Sequence, residues 1–242
     1  MIGALAALAW GLLAAAYIGA ASGVRWPLGR TGAFVTGSAV MALAPLIGSL
    51  GAGSGDGLAW HMAEHGLILG AGAGLLALGA PVVLALRASR PRVRRVLVSA
   101  IRSRAVSIAG DPRFAWVAFV VAIWVTHLPA VIAALDRSAW LHAGEHLALA
   151  TLAFGFWTCA LNAAPLPRRV ASNARWAYLL AAAAAADLAA LGLMASGYPG
   201  AGAAMLGSML PLAAAGVWSL WRWIADEEIA ELARTETLGA RR

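Results

Sequence analysis

Residues 58–80 read Leu-Ala-Trp-His-Met-Ala-Glu-His-Gly-Leu-Ile-Leu-Gly-Ala-Gly-Ala-Gly-Leu-Leu-Ala-Leu-Gly-Ala. The run is long enough to cross a bilayer as one helix, and beyond Gly66 it holds only Leu, Ile, Ala and Gly. Its first two turns, however, carry His61, Glu64 and His65. Ionisable groups are costly in such a segment and mark metal sites, proton routes or partner charges. The same order, H-x-x-E-H, returns at His142-Ala143-Gly144-Glu145-His146. The fifth histidine, His127, stands two residues before Pro129, so every histidine of the chain lies in one of three short clusters.

Comparable apolar stretches recur along the whole chain. With 62% hydrophobic and 12% charged residues, the composition excludes an ordinary soluble domain, where about 25% of residues are charged. The expected fold is all-α: a single polytopic membrane domain, a bundle of seven transmembrane helices. The spans fall at about 2–22, 31–50, 58–80, 113–135, 139–164, 176–197 and 203–224. The first run ends in small residues, as a cleaved signal peptide does. No positive charge precedes it and it is long enough to span, so it is expected to be retained.

The net charge of +7 comes from 18 arginines without a lysine. In a soluble chain this would suggest nucleic acid. Here the arginines gather between apolar runs, so membrane topology accounts for them and no nucleic-acid partner is expected. Arg25 and Arg30 follow the first span, seven arginines from Arg87 to Arg104 the third, and Arg168, Arg169 and Arg175 the fifth. Arg234, Arg241 and Arg242 follow the seventh. The loops after the second and fourth spans hold only Asp56 and the Asp136–Arg137 pair, and the sixth holds no charge. The positive-inside rule then sets the N-terminus outside and the C-terminus in the cytoplasm. Trp26, Trp116, Trp176, Trp221 and Trp223 mark the inner interface, and Trp60 and Trp140 the outer one. Between Pro81 and Arg104, arginines alternate with Val93, Val96, Leu97, Val98 and Ile101, the pattern of an interfacial helix on anionic lipid. Gly70 and Gly74 have small-xxx-small spacing for close helix packing, and the alanines of 181–186 serve the same purpose.

On this topology all five histidines fall in the outer half of the membrane. His61 and His65, and likewise His142 and His146, share a helix face at i, i+4. Three histidine-bearing helices therefore offer imidazoles to one point, which suits zinc, copper, iron or nickel. Met62, Met194, Met205 and Met209 lie at a similar depth, and thioethers select Cu(I), although methionine in an apolar helix more often packs. Glu64 and Glu145 read as support for the ligands or as ligands themselves. His127 also reads as a helix-end residue reaching the interface, and Pro129 as a kink. Asp187, deep in the sixth span, is protonated, locally paired or part of an ion route. Cys159 lies away from the histidines and reads as packing. H-x-x-E-H is also a metalloprotease motif, but two copies at one depth favour a shared binding site. Three classes stay open on residues alone: a metal-binding protein without catalytic residues, a metal transporter, and a di-metal membrane enzyme.

The ordered set His61-Met62-x-x-His65, Gly79-Ala80-Pro81, the arginine-rich segment, His127-x-Pro129, His142-x-x-x-His146 with Phe156-Trp157, and Asp187-x4-Gly192-x-Met194 resembles the CtaG-type cytochrome c oxidase assembly factors over about residues 58–224. The resemblance implies a multi-pass protein of the bacterial plasma membrane that assists copper delivery to the copper-B centre of a haem-copper oxidase. Its partners would be the oxidase catalytic subunit, a periplasmic copper chaperone and the lipid bilayer. The metal set it implies is His61, Met62, His65, His127, His142, His146 and Met194, holding copper as Cu(I), with Asp187 matched as well. The chain departs from the pattern at Leu188, where the family has Gln, and at Ala195, where Trp is common.

Overall fold

A computed structural model describes residues 2–239 apart from Ala52, Ser54 and Asp136. Asp136, Arg241 and Arg242, which entered the charge pattern, lie outside the described residues. Every regular element among the described residues is helical. The first two are α1 (Ile2–Ser22) and α2 (Leu28–Ser49), which pack on each other. The third run is α3 (Gly57–Gly66), a π-helical segment (Leu67–Gly72) and α4 (Ala73–Leu78), continuing past a left-handed Ala80 (φ 47°) into α5 (Pro81–Ala88). It is the most enclosed of the candidate spans, with α2, Ala139–Ala160 and Pro199–Ser208 around it.

The basic segment is not one interfacial helix. It forms the end of the third run, α5, then α6 (Pro91–Ile101) and α7 (Arg104–Ala109). Proline fits the first turn of a helix and resists continuation of the one before it, so Pro81 and Pro91 each start a new axis. Ser103 caps the third helix by accepting from the Val106 amide at 3.3 Å. α6 carries the Arg/Val alternation and buries none of its residues.

The fourth expected span is also broken. α8 (Pro112–Thr126) and α9 (Pro129–Leu135) meet at 78° across His127-Leu128. A residue before proline is pushed out of the helical region, so Pro129 ends the run instead of merely kinking it. α10 (Ala139–Ala160) and α11 (Ser172–Ala195) are continuous, and the last run divides at Met209 into α12 (Pro199–Ser208) and α13 (Leu210–Gly239).

Among the described residues, five helical runs are long and apolar enough to cross a membrane, six if the bent α8–α9 pair counts as one. α10, at 22 residues, has the length, but His142, Glu145 and His146 reduce its apolar character. Outward-facing Leu5, Leu12, Val117, Val121, Leu147, Leu188, Val217 and Trp218 are all exposed. Such an apolar exterior on a helical bundle is the surface of a membrane protein.

Small residues bring the helices close. A Cβ on Gly37 would meet the Leu76 backbone at 2.8 Å, and one on Gly66 would overlap the side chain of Ser208 on α12. Gly74 lies against the Trp157 ring, and Gly70 against Ser208 and Pro211. Ala182, Ala183 and Ala186 of the alanine run are buried. The core below the histidines stacks Phe156 on Phe119 (4.4 Å between centroids) and on Tyr178 (4.9 Å), tying α10 to α8 and α11.

Candidate metal centre

α3 begins at Gly57, so His61, Glu64 and His65 occupy its exposed-to-buried gradient, and Ser138 caps α10 by accepting from the Leu141 amide. The backbone contacts of α10 concentrate on Leu67–Leu78 and on α8. Toward the histidine end α10 stands off from α3, and imidazoles bridge the gap. The space left there is a cavity of about 680 Å³, lined by His61, Glu64, His142 and His146 and walled by residues of α1 and α2 such as Trp10 and Met41.

His146 is the hub. Its Nε2 lies 3.1 Å from Nε2 of His142 and 3.1 Å from Nε2 of His65. The His61 ring stands 4.2 Å from His65 and 4.8 Å from His142, centroid to centroid. Ligand atoms of His61, His142, Glu145 and His146 all lie within 4.8 Å of one another. Two nitrogens bound to one ion at about 2.0 Å and a tetrahedral angle would be about 3.3 Å apart. Each of the two Nε2 separations at His146 therefore suits a pair of ligands on one ion.

The outer contacts fix which nitrogen faces inward. The Ile123 carbonyl, 2.6 Å from Nδ1 of His127, can only accept, so that nitrogen carries the proton. Nε2 of His127 is then the acceptor for Nδ1–H of His65 at 3.2 Å. In the neutral rings this leaves Nε2 of His65 bare and aimed at His146. On the other side, Nδ1–H of His146 donates to the Glu64 carboxylate at 3.1 Å, which again bares Nε2. Bare nitrogens 3.1 Å apart repel unless a cation or proton lies between them. Glu64 is itself seated by a glycine: a Cβ on Gly48 of α2 would overlap its Oε2. Glu145 is buried, with Oε1 3.8 Å from Nε2 of His65.

The structure gathers the five histidines and both glutamates, but His127 has both ring nitrogens engaged and stands behind His65. The thioethers are elsewhere. Met62 is fully buried in the core, as are Met205 and Met209, and Met194 packs over Gly202 where α11 meets α12. None of them lines the cavity; Met41 does. Asp187 is half-buried on α11, apart from the cavity, with no hydrogen bond or ion pair among the described residues. Cys159 is buried against the Gly110 carbonyl. Sequence alone gave no reason to single out Gly48, Met41 or the contact in which Trp157 Nε1 donates to the Leu69 carbonyl at 2.8 Å, inside the π-helical segment.

A family model described as cytochrome c oxidase caa3 assembly factor matches residues 7–226. The chain belongs to this family. Within the caa3 assembly factors, the histidines, both glutamates and the helices that carry them all lie inside the matched region. An uncharacterized protein of Mycobacterium bovis and one of Mycobacterium tuberculosis are each 31% identical over 168 residues, covering 66% of this chain and 25% of theirs. One of Mycobacterium leprae is 30% identical over 169 residues, with the same coverage. The chain thus spans about a quarter of the length of these relatives. No solved structure matches it.

Proposed function

We propose that this caa3 assembly factor binds copper, as Cu(I), among His61, His65, His142 and His146, and passes it to the catalytic subunit of a haem-copper oxidase during formation of the copper-B centre. The observation that carries the reading is the pair of bare nitrogens of His65 and His146, 3.1 Å apart, beside a cavity lined by His61, His142 and His146. His127 and Glu64 orient His65 and His146 from behind, and Glu145 is a reserve ligand at the same centre. With Met62 and Met194 packed into helix contacts, imidazole is the main ligand; it suits copper as it suits zinc, iron and nickel, and the choice of copper rests on the family's role in assembling an oxidase. Imidazoles borne on two separate helices also suit transfer, because ligands can be exchanged one at a time.

In this reading the chain crosses a bacterial plasma membrane seven times, counting α10 and the α8–α9 pair with the five apolar runs. The N-terminus and the histidines face outward, where a periplasmic chaperone donates copper, and the arginines face the cytoplasm. The copper site carries no catalysis. A transport role is less well supported, since the buried layer beneath the cluster is Ile123, Leu149, Phe119, Ala153 and Phe156, which offers no ligand to a descending ion.

The test is metal content. Purified protein loaded with Cu(I) should retain about one equivalent, and the His61→Ala, His65→Ala, His142→Ala, His146→Ala variant almost none. Equal copper in both would falsify the site. Reporter fusions at each loop test the orientation: external signal from the loop between α5 and α8 would overturn it.

A further inference from the structure

A second cavity, of about 500 Å³, lies at the opposite end of the long span. Arg30 at the start of α2 and Arg87 at the end of α5 stand at its mouth, and Ala33, Leu78, Val83 and Leu161 form its walls. Both guanidinium groups are held to one ring: Arg30 Cζ lies 5.2 Å and Arg87 Cζ 5.5 Å from the centre of Trp26. Trp26 is itself fixed, because its Nε1 donates to Tyr17 Oη at 2.8 Å, and that hydroxyl donates to the Gly79 carbonyl at 2.6 Å. Tyr17 stacks on Phe34 at 3.9 Å. A Cβ on Gly79 would meet Phe34 at 2.7 Å, so the Gly79-Ala80 turn belongs to this scaffold.

Two permanent positive charges are therefore gathered around one aromatic ring and line one cavity. No acidic residue lines the cavity, and neither arginine has a carboxylate partner among the described residues. Like charges brought together without a counter-charge repel, and an anion between them removes the repulsion while accepting several charge-assisted hydrogen bonds. The amides of the first turn of α2, next to Arg30, add positive potential at the same point. Guanidinium forks match phosphate oxygens. The other lining side chains are hydrocarbon except Asn162, whose amide is engaged by the Val170 backbone, and the volume greatly exceeds that of a phosphate ion. Both features fit a molecule with a phosphate at one end and an apolar body behind it.

We propose that this cavity binds an anionic phospholipid, its phosphate between Arg30 and Arg87 and its acyl region along Ala33, Leu78 and Leu161. The site is specific, and it differs in kind from the open basic surface of α6. There Arg92 and Arg95 lie on a helix that buries none of its residues, and Arg94 is occupied by the Leu86 and Ser89 carbonyls.

The experiment is titration of the full chain, in phosphatidylcholine nanodiscs or detergent, with phosphatidylglycerol, counting bound lipid by native mass spectrometry. The Arg30→Gln, Arg87→Gln variant should bind the first phosphatidylglycerol about tenfold more weakly, the scale of losing two charge-assisted contacts. The Arg92→Gln, Arg95→Gln variant should leave that step unchanged. Ala33→Leu keeps both charges but fills the cavity, and it should also weaken binding. Equal weakening by the two arginine pairs would mean diffuse attraction to a basic surface and would overturn the site. Displacement of the lipid by millimolar inorganic phosphate would assign the arginines to free phosphate and overturn the lipid. Thermal unfolding and retained copper check that each variant is folded.

Discussion

The histidine cavity and the arginine cavity share one long helical run, His61 and Glu64 near its start and Val83 and Arg87 near its end. By helix rise they are on the order of 35 Å apart, a bilayer thickness. They handle polar groups in opposite ways. At the histidine end, Glu64, His65, His127 and Glu145 are buried; His65 contacts His127, Glu64 contacts His146, and Glu145 stands beside His65. The bare ring nitrogens there point inward. At the arginine end the charged groups are permanent and exposed at the mouth, braced from behind by Trp26 and Tyr17. Neutral ligands with fixed direction suit a soft metal ion, whereas fixed charge at an interface suits an anion. A protein can hold both only by keeping them at opposite membrane faces.

The sharpest break of this comparison is at the hub. His146→Ala should reduce Cu(I) retention to near background, while Arg30→Gln, Arg87→Gln leaves it at the wild-type level; measured copper per protein checks both. A copper loss from the arginine variant as large as that from His146→Ala would mean that the two ends are not separate. Next in size are the residues behind the ligands. His127→Phe and Glu64→Gln should each weaken copper binding about 10- to 100-fold, the usual cost of an outer partner, with competition against a Cu(I) chelator as the readout. Gly48→Val should match the loss of Glu64→Gln, since its side chain takes the space of the carboxylate. Smaller again is Trp157→Phe, which leaves the buried Leu69 carbonyl without its donor. A destabilisation of about 1–3 kcal/mol should appear as earlier thermal unfolding.

The smallest effect belongs to the arginine end. Asp111 caps α8 by accepting from the Arg113 amide at 2.9 Å and pairs with Arg168 at 2.6 Å. The amide hydrogen bond and then the Arg168 charge hold its carboxyl below the ordinary value of 3.8. A depressed carboxyl contributes stability above its unfolded value and loses it as pH falls through the folded one. Wild type should therefore unfold slightly later than Asp111→Asn at pH 6, and the two should converge as pH falls below 3.8 and through the folded value. A constant gap through that fall would exclude the charge as its source.

Depth along the chain was legible in the sequence. Each residue of a helix adds a fixed rise, so apolar run lengths placed His61, His65, His127, His142 and His146 at one level before any packing was known. Azimuth was not legible, because it depends on what each helix meets. Met62 adjoins His61 in sequence but points into the core, and Met194 is claimed by the glycine opposite it on α12. The breaks were partly legible: Pro129 announced a disturbance, but a 78° elbow follows from the whole surroundings of His127. Gly48 carries no signal at all, since one small residue in an apolar helix is unremarkable until a carboxylate is found against it. The span count suffered for the same reason that the site was visible, as the histidines that betray α10 also reduce its hydropathy.

The widened turn Leu67–Gly72 has a consequence of its own. It joins the part of the run that carries the histidines, packed on α12 and α2, to the part packed on α2 and α10. Removing one residue there would restore ordinary helical register and leave every side chain of the centre in place by name. In a regular helix such a loss would swing the preceding residues by roughly 100° about the axis; here the widened turn holds the extra residue, so its removal would keep His61 and His65 on the face toward His142 and His146. The turn is thus the place in the run where a residue can come or go without turning the centre away.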